Sequence, residues 1–245
     1  PSGKGVFDLN FAIARGAVAG YLGPNGAGKT TTIRALLGFM RPDSGKCQIG
    51  GLDCTAQAPL IQKTLGYLPG EIAFPDGMTG DEFLKFLSDM RGTKNGGRRK
   101  RLLDMFELDP KGMIRKFSKG MKQKLGLTAA FMHDPEVLIL DEPSSGLDPL
   151  MQNRLTELLL AEKACGKTIL MSSHIFEEVE KVCDSMLIIR EGRIVEQADV
   201  RSLKSAQRKV FLLATASPEE SASLLKAEGF QSRLDLSGQL EVFVS

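Results

Sequence analysis

Tryptophan is absent from the 245 residues of this sequence, and tyrosine and cysteine occur only two and four times. The cysteines have neither CxxC spacing nor the density of a secreted disulfide scaffold, so the sequence predicts a protein of the reducing cytoplasm. Apolar runs such as residues 137–140 end far short of the roughly 20 residues that cross a bilayer. The chain begins at Pro1 without a signal segment, which argues against secretion and against a natural N-terminus.

An excess of one charge is missing too. Lysine and arginine number 32, and aspartate and glutamate 30, which leaves a formal charge of +2. This balance excludes nucleic-acid binding through bulk positive charge. Hydrophobic residues make up 42% and charged residues 25% of the chain, as in ordinary globular proteins, which excludes disorder as its main description.

Apolar runs of strand length alternate with helical patterns over most of the chain, which predicts an α/β fold with a largely parallel sheet. The alternating residues 8–13 and the strand-like residues 46–52 predict some antiparallel sheet beside this core. Helical spacing predicts a helical insertion at about residues 76–132. We therefore expect one domain over residues 1–205 and a small α+β appendage over residues 206–245.

A glycine-rich segment joins the first apolar strand to the first helix. Residues 23–30 fit the pattern G-x-x-x-x-G-K-[ST], which is typical of a phosphate-binding loop in this strand-to-helix position. Backbone N–H groups and a helix N-terminus attract phosphate, the lysine reaches the outer phosphates, and the hydroxyl ligates Mg²⁺. The alternative is a simple glycine-rich turn. The predicted nucleotide ligands are Gly23, Pro24, Asn25, Gly26, Ala27, Gly28, Lys29, Thr30 and Thr31.

The apolar run at residues 137–140 ends in Asp141 and Glu142. A carboxylate at the end of a second core strand is the expected partner of Thr30 at Mg²⁺, so Asp141 is the predicted metal ligand. Glu142 is then placed to polarise a water for in-line attack on the γ-phosphate. On its own, Asp-Glu after a strand is usually only a polar strand end.

Three further segments follow in order: Phe117-Ser-Lys-Gly-Met-Lys-Gln-Lys124, Leu140-Asp-Glu-Pro-Ser-Ser-Gly-Leu-Asp-Pro149 and Ser172-Ser-His174. With the phosphate loop they resemble the nucleotide-binding domain of an ABC transporter, over about residues 5–205. The resemblance implies a P-loop NTPase fold with a RecA-like parallel core, an antiparallel β subdomain and a helical signature-motif subdomain. It also implies ATP hydrolysis with Mg²⁺ and a dimer that sandwiches ATP.

Carried over from this family, Ser118 and Gly120 match the signature motif, which caps the γ-phosphate bound to the opposite subunit. Asp148 matches the end of the D-loop at the dimer interface, and His174 matches the switch histidine that orients Glu142 and the water. Lys119 and Met121 depart from the common L-S-G-G-Q sequence of this motif. Without the family, Ser118 is simply a helix N-cap and His174 a structural residue.

Two family features are missing. No clear adenine-stacking aromatic precedes the phosphate loop; Phe7 is the nearest, and we expect it to pack in the sheet. The usual glutamine after the strand near Tyr67 is replaced by Gly70, and Glu71 follows it. Glu71 is predicted to supply the missing Mg²⁺ ligand. The alternative is that water completes the Mg²⁺ shell and the loop serves only as a hinge.

Two other polar features receive no function. The basic run Arg98–Arg101 is interpreted as a solvated helix face, and His133 as a helix-capping or surface residue.

The resemblance favours a bacterial exporter of the ABC-2 or antibiotic-resistance type. The chain would be its ATP-hydrolysing subunit, peripheral on the cytoplasmic face of the membrane. Its implied partners are transmembrane permease subunits on separate chains and a second ATPase subunit, identical or different, with no nucleic acid. The alternative is a soluble ABC ATPase acting on a ribosome or DNA. Against it, the chain lacks the second ATPase domain or the long coiled coil usual in such relatives.

Overall fold

The computed structural model describes residues 5–75, 77–93, 96–200, 202, 209–215, 217–234 and 239–244. The chain forms two compact units, Pro1–Gln197 and Ala198–Ser245. The expected domain boundary at residue 205 lies among residues outside the described part and stays a prediction.

The first unit holds the strands β1 to β8, the last of which runs on past Gln197. These are Val18–Leu22, Gln48–Ile49, Leu52–Asp53, Leu65–Leu68, Val137–Asp141, Thr168–Ser173, Ser185–Arg190 and Arg193–Asp199. Its helices α1 to α7 are Lys29–Leu36, Ala58–Thr64, Gly80–Arg91, Gly96–Met105, Lys119–Phe131, Pro149–Ala164 and Phe176–Val182. A 3₁₀ turn, Ile114–Lys116, precedes α5.

The main sheet has the strand order β4-β5-β6-β1-β7-β8. Strand β1 pairs in parallel with β6 and β7, and β5 pairs in parallel with β4 and β6, which confirms the predicted parallel core. The loops that follow β1, β5 and β6 therefore emerge at one edge of the sheet, where α/β proteins bind ligands. The short pair β2 and β3 is antiparallel, as predicted for residues 46–52.

The strand expected at residues 8–13 is not formed. The backbone turns at Asp8, whose φ is +51°, and the following residues belong to no ladder. Their alternation still has a structural cause, because Leu9, Phe11 and Ile13 pack against the buried core around Tyr21. The period-2 pattern thus marks the partly buried side chains and does not indicate a hydrogen-bonded strand.

The predicted helical insertion contains α3, α4 and α5. Thr79 begins α3 with a capping box, in which its hydroxyl accepts from the Glu82 N–H while the Glu82 carboxylate accepts from the Thr79 N–H. The basic run on α4 is not simply solvated: Arg98 pairs with Glu162, which is 5% exposed, and Arg99 pairs with Asp81. A buried carboxylate needs such a partner, and the sequence pattern of α4 could not show it.

The interpretation of His133 as a capping or surface residue is wrong. His133 is 8% exposed, and its Nε2 lies 3.1 Å from the Leu65 carbonyl oxygen, to which it donates. Burial, followed by the nearby charge of Arg91, lowers the pKa of His133 to about 4. The side chain is therefore a neutral part of the packing between α5 and β4.

The second unit contains β9 Lys209–Leu213, α8 Pro218–Ala227, β10 Gln231–Leu234 and β11 Leu240–Val244. Its three strands form an antiparallel sheet in the order β10-β11-β9. This confirms the α+β character predicted for the appendage. Within the described residues, no helix in either unit is long and apolar enough to cross a membrane.

Candidate nucleotide site

The phosphate loop connects β1 to α1, as its pattern predicts. Gly28 precedes the helix with φ +112°, a conformation that side chains other than glycine rarely adopt. A Cβ atom there would lie 2.7 Å from Val6 Cγ1, so any other residue would also have to displace the Val6 side chain. Of the remaining loop residues, Pro24, Asn25, Gly26 and Thr30 are exposed, Gly23 and Ala27 are buried, and Thr31 is half-buried.

The Lys29 side chain folds back into this loop and is only 6% exposed. Its Nζ donates to the Gly23 carbonyl oxygen at 2.5 Å and to that of Pro24 at 3.3 Å. Nζ also lies 3.1 Å from Glu142 Oε1, so the predicted phosphate-binding cation and the predicted base form an ion pair. The two contacts with carbonyl oxygens are hydrogen bonds, whereas the contact with Glu142 Oε1 is an ion pair without hydrogen-bond geometry.

Asp141 ends β5 and is 1% exposed. Its Oδ2 accepts from Thr30 Oγ1 at 2.8 Å, and its Oδ1 accepts from Ser172 Oγ at 2.5 Å. Among the described residues no basic side chain forms an ion pair with Asp141. A buried carboxylate with hydroxyl donors alone suits an added cation, and a hydroxyl beside a carboxylate is a ligand pair that Mg²⁺ accepts. Burial, followed by the Asp141 charge, raises the pKa of Tyr67 to about 12.

Glu142 follows directly and has a φ of +49°. Its N–H donates to Ser172 Oγ at 3.0 Å, so one β6 hydroxyl contacts both members of the Asp-Glu pair. Its Oε2 lies 2.8 Å from His174 Nδ1, and the two side chains are 19% and 51% exposed. The structure thus brings Lys29, Asp141, Glu142 and His174 together, and their roles at a nucleotide stay predictions.

The signature and D-loop residues are arranged differently. Ser118 is exposed and caps α5, where its Oγ accepts from the Met121 N–H at 3.2 Å. Asp148 is exposed and caps α6 in the same manner. A Cβ on Gly120 would lie 2.8 Å from the Gly146 carbonyl oxygen, so the two motifs touch. No hydrogen bond in the described residues joins Ser118 or Asp148 to the phosphate loop.

Glu71 is exposed and, within the described part of the chain, makes no hydrogen bond or ion pair. Its neighbour Gly70 lies close to Asp141, the predicted metal ligand, because a Cβ on Gly70 would lie 3.2 Å from Asp141 Oδ2. No group of three or more His, Cys, Asp or Glu side chains among the described residues could hold a metal ion. The metal-ligand role of Glu71 therefore stays a prediction.

Phe7 does not pack in the sheet, and this expectation is wrong. The residue is 40% exposed, and the Arg193 guanidinium lies 5.6 Å from its ring centroid. Its N–H donates to the Gly192 carbonyl oxygen at 2.8 Å, and the Gly192 N–H donates to that of Ala27 at 2.9 Å. Phe7 belongs to no strand, and the two hydrogen bonds of Gly192 connect it to the phosphate loop.

Two residues that the sequence did not single out also belong to the site. Ser172 contacts both Asp141 and Glu142, and the buried Gln123 contacts the backbone that follows β5. Ser172 lies in the segment before His174, so its strand-end position was a possible signal. Gln123 also lies in a quoted segment, residues 117–124, but its residue type gave no signal, because glutamine in a helix is ordinarily solvated.

The chain is similar to known proteins in both sequence and fold. Residues 6–145, more than half of the chain, match the ABC transporter family, and residues 113–180 also match a family described as an AAA domain, putative AbiEii toxin. The bacitracin transport ATP-binding protein BcrA of Bacillus licheniformis is 37% identical over 94% of this chain and 76% of its own. The ABC transporter ATP-binding protein NatA of Bacillus subtilis is 35% identical over 84% and 86%.

A solved ATP-binding subunit of an ABC transporter superimposes with a TM-score of 0.75 and 32% identity, covering 82% of this chain and 86% of that one. A dimeric ATP-binding cassette with ADP and phosphate, 19% identical, shows the same fold with a TM-score of 0.73 over 80% of this chain and 90% of that one. The chain spans only 61% and 54% of two uncharacterised ABC transporter ATP-binding proteins from Nostoc sp. and Synechocystis sp., each 38% identical over 81% and 76% of this chain. The match over residues 6–145 and these relatives show that the chain belongs to the ABC transporter ATP-binding family, a family of ATPases.

Proposed function

We propose that this chain is the ATP-binding and ATP-hydrolysing subunit of an exporter, which it drives by forming an ATP-sandwich dimer beneath separate membrane subunits. The observation that supports hydrolysis best is the position of Glu142. Its carboxylate lies 3.1 Å from Lys29 Nζ and 2.8 Å from His174 Nδ1, at the mouth of the phosphate loop. A base beside the phosphate-binding cation is what in-line attack by water requires.

In this proposal the nucleotide enters by exchange of contacts at Lys29. The outer phosphates replace the Gly23 and Pro24 carbonyl oxygens and the Glu142 carboxylate as partners of Nζ. This frees Glu142 Oε1 to accept a proton from the attacking water, while Oε2 keeps its contact with His174. The ion pair thus holds the base in place before ATP arrives.

Thr30 and Asp141 are the residues that would hold Mg²⁺. When bound, the ion would offset the negative charge of the phosphates. We also propose that Glu71 adds a ligand from the loop after β4. Glu71→Ala should then raise the Mg²⁺ concentration for half-maximal ATPase activity and leave Mg-free nucleotide binding intact. An unshifted Mg²⁺ dependence would reject this role and favour a hinge.

Phe7 supplies a base platform in the same proposal. Its half-exposed ring is attached to the phosphate loop through Gly192, and the adenine would displace Arg193 from the ring face. Since every base has a π-face, stacking alone discriminates ATP from GTP weakly.

The dimer completes the site. Within the described residues, Ser118 and Asp148 make no hydrogen bond to the chain's own phosphate loop, and Gly120 packs against Gly146. In this proposal, a second copy or a related subunit brings its signature motif to the γ-phosphate. Specific ATPase activity should therefore rise with protein concentration and then level off. A constant specific activity from a protein that light scattering shows to be monomeric would contradict the dimer.

The names of the relatives support export. They include BcrA, the linearmycin resistance ATP-binding protein LnrL of Bacillus subtilis and Nod factor export ATP-binding protein I of Ralstonia nicotianae. We propose a peripheral location on the cytoplasmic face of a bacterial membrane. An adjacent open reading frame with about six apolar spans, whose product retains this chain on membranes, would support the proposal. Retention on ribosomes or DNA instead would favour the alternative.

A further inference from the structure

Gln123 lies in the second turn of α5 and is only 4% exposed. Its Nε2 donates to the Pro143 carbonyl oxygen at 2.8 Å and lies 3.4 Å from that of Glu142. Both partners are carbonyl oxygens, which only accept, so the amide nitrogen must face them. A buried amide is therefore directed at the backbone of the proposed base.

This backbone is held in an uncommon conformation. Glu142 has a φ of +49°, which a non-glycine residue keeps only where its surroundings enforce it. On one side its N–H donates to Ser172 Oγ on β6. On the other side its carbonyl group and that of Pro143 face Gln123 on α5. The direction of the Glu142 carboxylate consequently depends on both elements.

The start of α5 touches the same loop a second time, because Gly120 packs against the Gly146 carbonyl oxygen. Ser118, which begins α5, carries the signature motif. A displacement of the beginning of α5 must then be transmitted to residues 142–146, since packed groups and hydrogen bonds do not stretch freely.

We infer that Gln123 is a positioning residue for Glu142. It fixes the carbonyl groups at residues 142 and 143 and thereby aims the carboxylate at the attacking water. It also couples the orientation of the Glu142 carboxylate to helix α5. In the proposed dimer, the start of α5 caps the γ-phosphate of the opposite ATP site. This inference rests on the proposed function, because it assigns Gln123 to the hydrolytic step.

The first test is Gln123→Met, which keeps the length of the side chain and removes its donor. We expect kcat to fall by roughly 10- to 100-fold, as for a small misplacement of a catalytic group. The affinity for a fluorescent ATP analogue should stay close to wild type, whereas the melting temperature should fall by about 2–8 °C, because the buried Pro143 carbonyl oxygen loses its donor. The matched control is Gln152→Met, because Gln152 Nε2 donates to the Leu147 carbonyl oxygen at 3.2 Å, elsewhere in the same loop. That variant should keep wild-type kcat.

The second test is Gln123→Glu, which preserves shape and makes donation depend on protonation. A carboxylate cannot donate to the Pro143 carbonyl oxygen, whereas a protonated carboxyl group can. The ratio of its kcat to that of wild type should therefore rise as the pH falls from 8 to 6. A purely structural role would leave this ratio constant. This ratio decides the question alone if Gln123→Met does not fold.

The outcomes separate the two levels of the proposal. If Glu142→Gln abolishes ATP hydrolysis while both Gln123 variants keep the wild-type kcat, only the positioning role is rejected. An equal loss of kcat in Gln152→Met would reject it as well, because the effect would then belong to the whole loop. A wild-type protein that hydrolyses no ATP would reject the proposed function and this inference together.

Discussion

The phosphate-loop region and the signature region of this chain are built in opposite ways. Around the phosphate loop, Lys29 and Asp141 are buried, and Lys29, Glu142 and His174 are already linked by close contacts within one chain. In the signature region, Ser118 and Asp148 are exposed and only cap their own helices. In the proposed ATP site, one half is thus assembled by folding, and the other half would come from the exposed signature region of a second subunit.

Glu142→Gln tests the assembled half and should have the largest effect. The amide keeps the shape of the side chain but cannot accept the proton of the attacking water, so phosphate release should slow by roughly 100- to 10,000-fold. Binding of a fluorescent ATP analogue should persist, and a nucleotide-bound dimer should accumulate in size-exclusion chromatography. Wild-type turnover would remove Glu142 from the role of base.

Lys29→Ala removes the buried cation of the same half. Charge-assisted hydrogen bonds to the outer phosphates disappear, so affinity for the ATP analogue should fall by roughly 100-fold. Lys163→Ala is the matched control, since Lys163 Nζ also contacts a backbone carbonyl oxygen, that of Val182, and a carboxylate, that of Asp184. Unchanged affinity in Lys29→Ala would mean that the loop is not the phosphate site.

Helix α5 shows the contrast at its two ends, because it begins at the exposed Ser118 and leads into the buried His133. The pKa of His133 is about 4 in the folded protein and near 6.5 when unfolded, so unfolding takes up a proton between these values. The contribution of neutral His133 to the free energy of unfolding is complete above pH 6.5 and is lost as the pH falls toward 4. Between pH 7 and pH 5 it should decrease by about 2 kcal/mol.

The measurement compares urea unfolding of wild type with that of His133→Gln at both pH values. The neutral glutamine can still donate to the Leu65 carbonyl oxygen, and carboxylates that titrate in this range act on both proteins alike. The wild type should therefore lose more free energy of unfolding than the variant. Equal losses would show that His133 does not carry the effect.

Phe7→Ala tests whether the assembled half extends to the base. Stacking on an aromatic ring contributes about 1–3 kcal/mol, so the affinities for ATP and GTP should both fall by roughly tenfold. Phe39→Ala, at an exposed ring that packs edge-on against Tyr67, should leave both unchanged. A strong preference of the wild type for ATP would show that another residue recognises the base.

Ser118→Ala probes the presented half and should have the smallest effect on the isolated chain. Loss of the N-cap should lower the free energy of unfolding by about 1 kcal/mol, and Thr79→Ala, which uncaps α3, should do the same. Only Ser118→Ala should also reduce ATPase turnover, by about tenfold, because in the proposed dimer its hydroxyl would be lost from the opposite γ-phosphate. Equal turnover in the two variants would place the signature motif outside the site.

The contiguous parts of the molecule could be predicted from the sequence alone. The phosphate loop uses neighbouring residues in one strand-to-helix connection, so its glycines, Lys29 and Thr30 are recognisable as a pattern. The alternation of apolar runs with helical spacing likewise predicted the parallel core. A parallel sheet is buried on both faces, so its strands are continuous apolar runs. Asp141 and Glu142 could be identified because they end such a run.

Only the tertiary structure decided the contacts between distant segments. The alternation at residues 8–13 could not reveal that these residues form no strand, nor that Phe7 is connected to the phosphate loop through Gly192. His133 and Arg98 read as surface residues in their helices, yet one is buried beside Leu65 and the other pairs with the buried Glu162. Ser172 and Gln123 hold the Glu142 backbone from β6 and α5. A local pattern records which side chains avoid water, whereas the partner of a buried polar group is set by how the chain brings remote elements together.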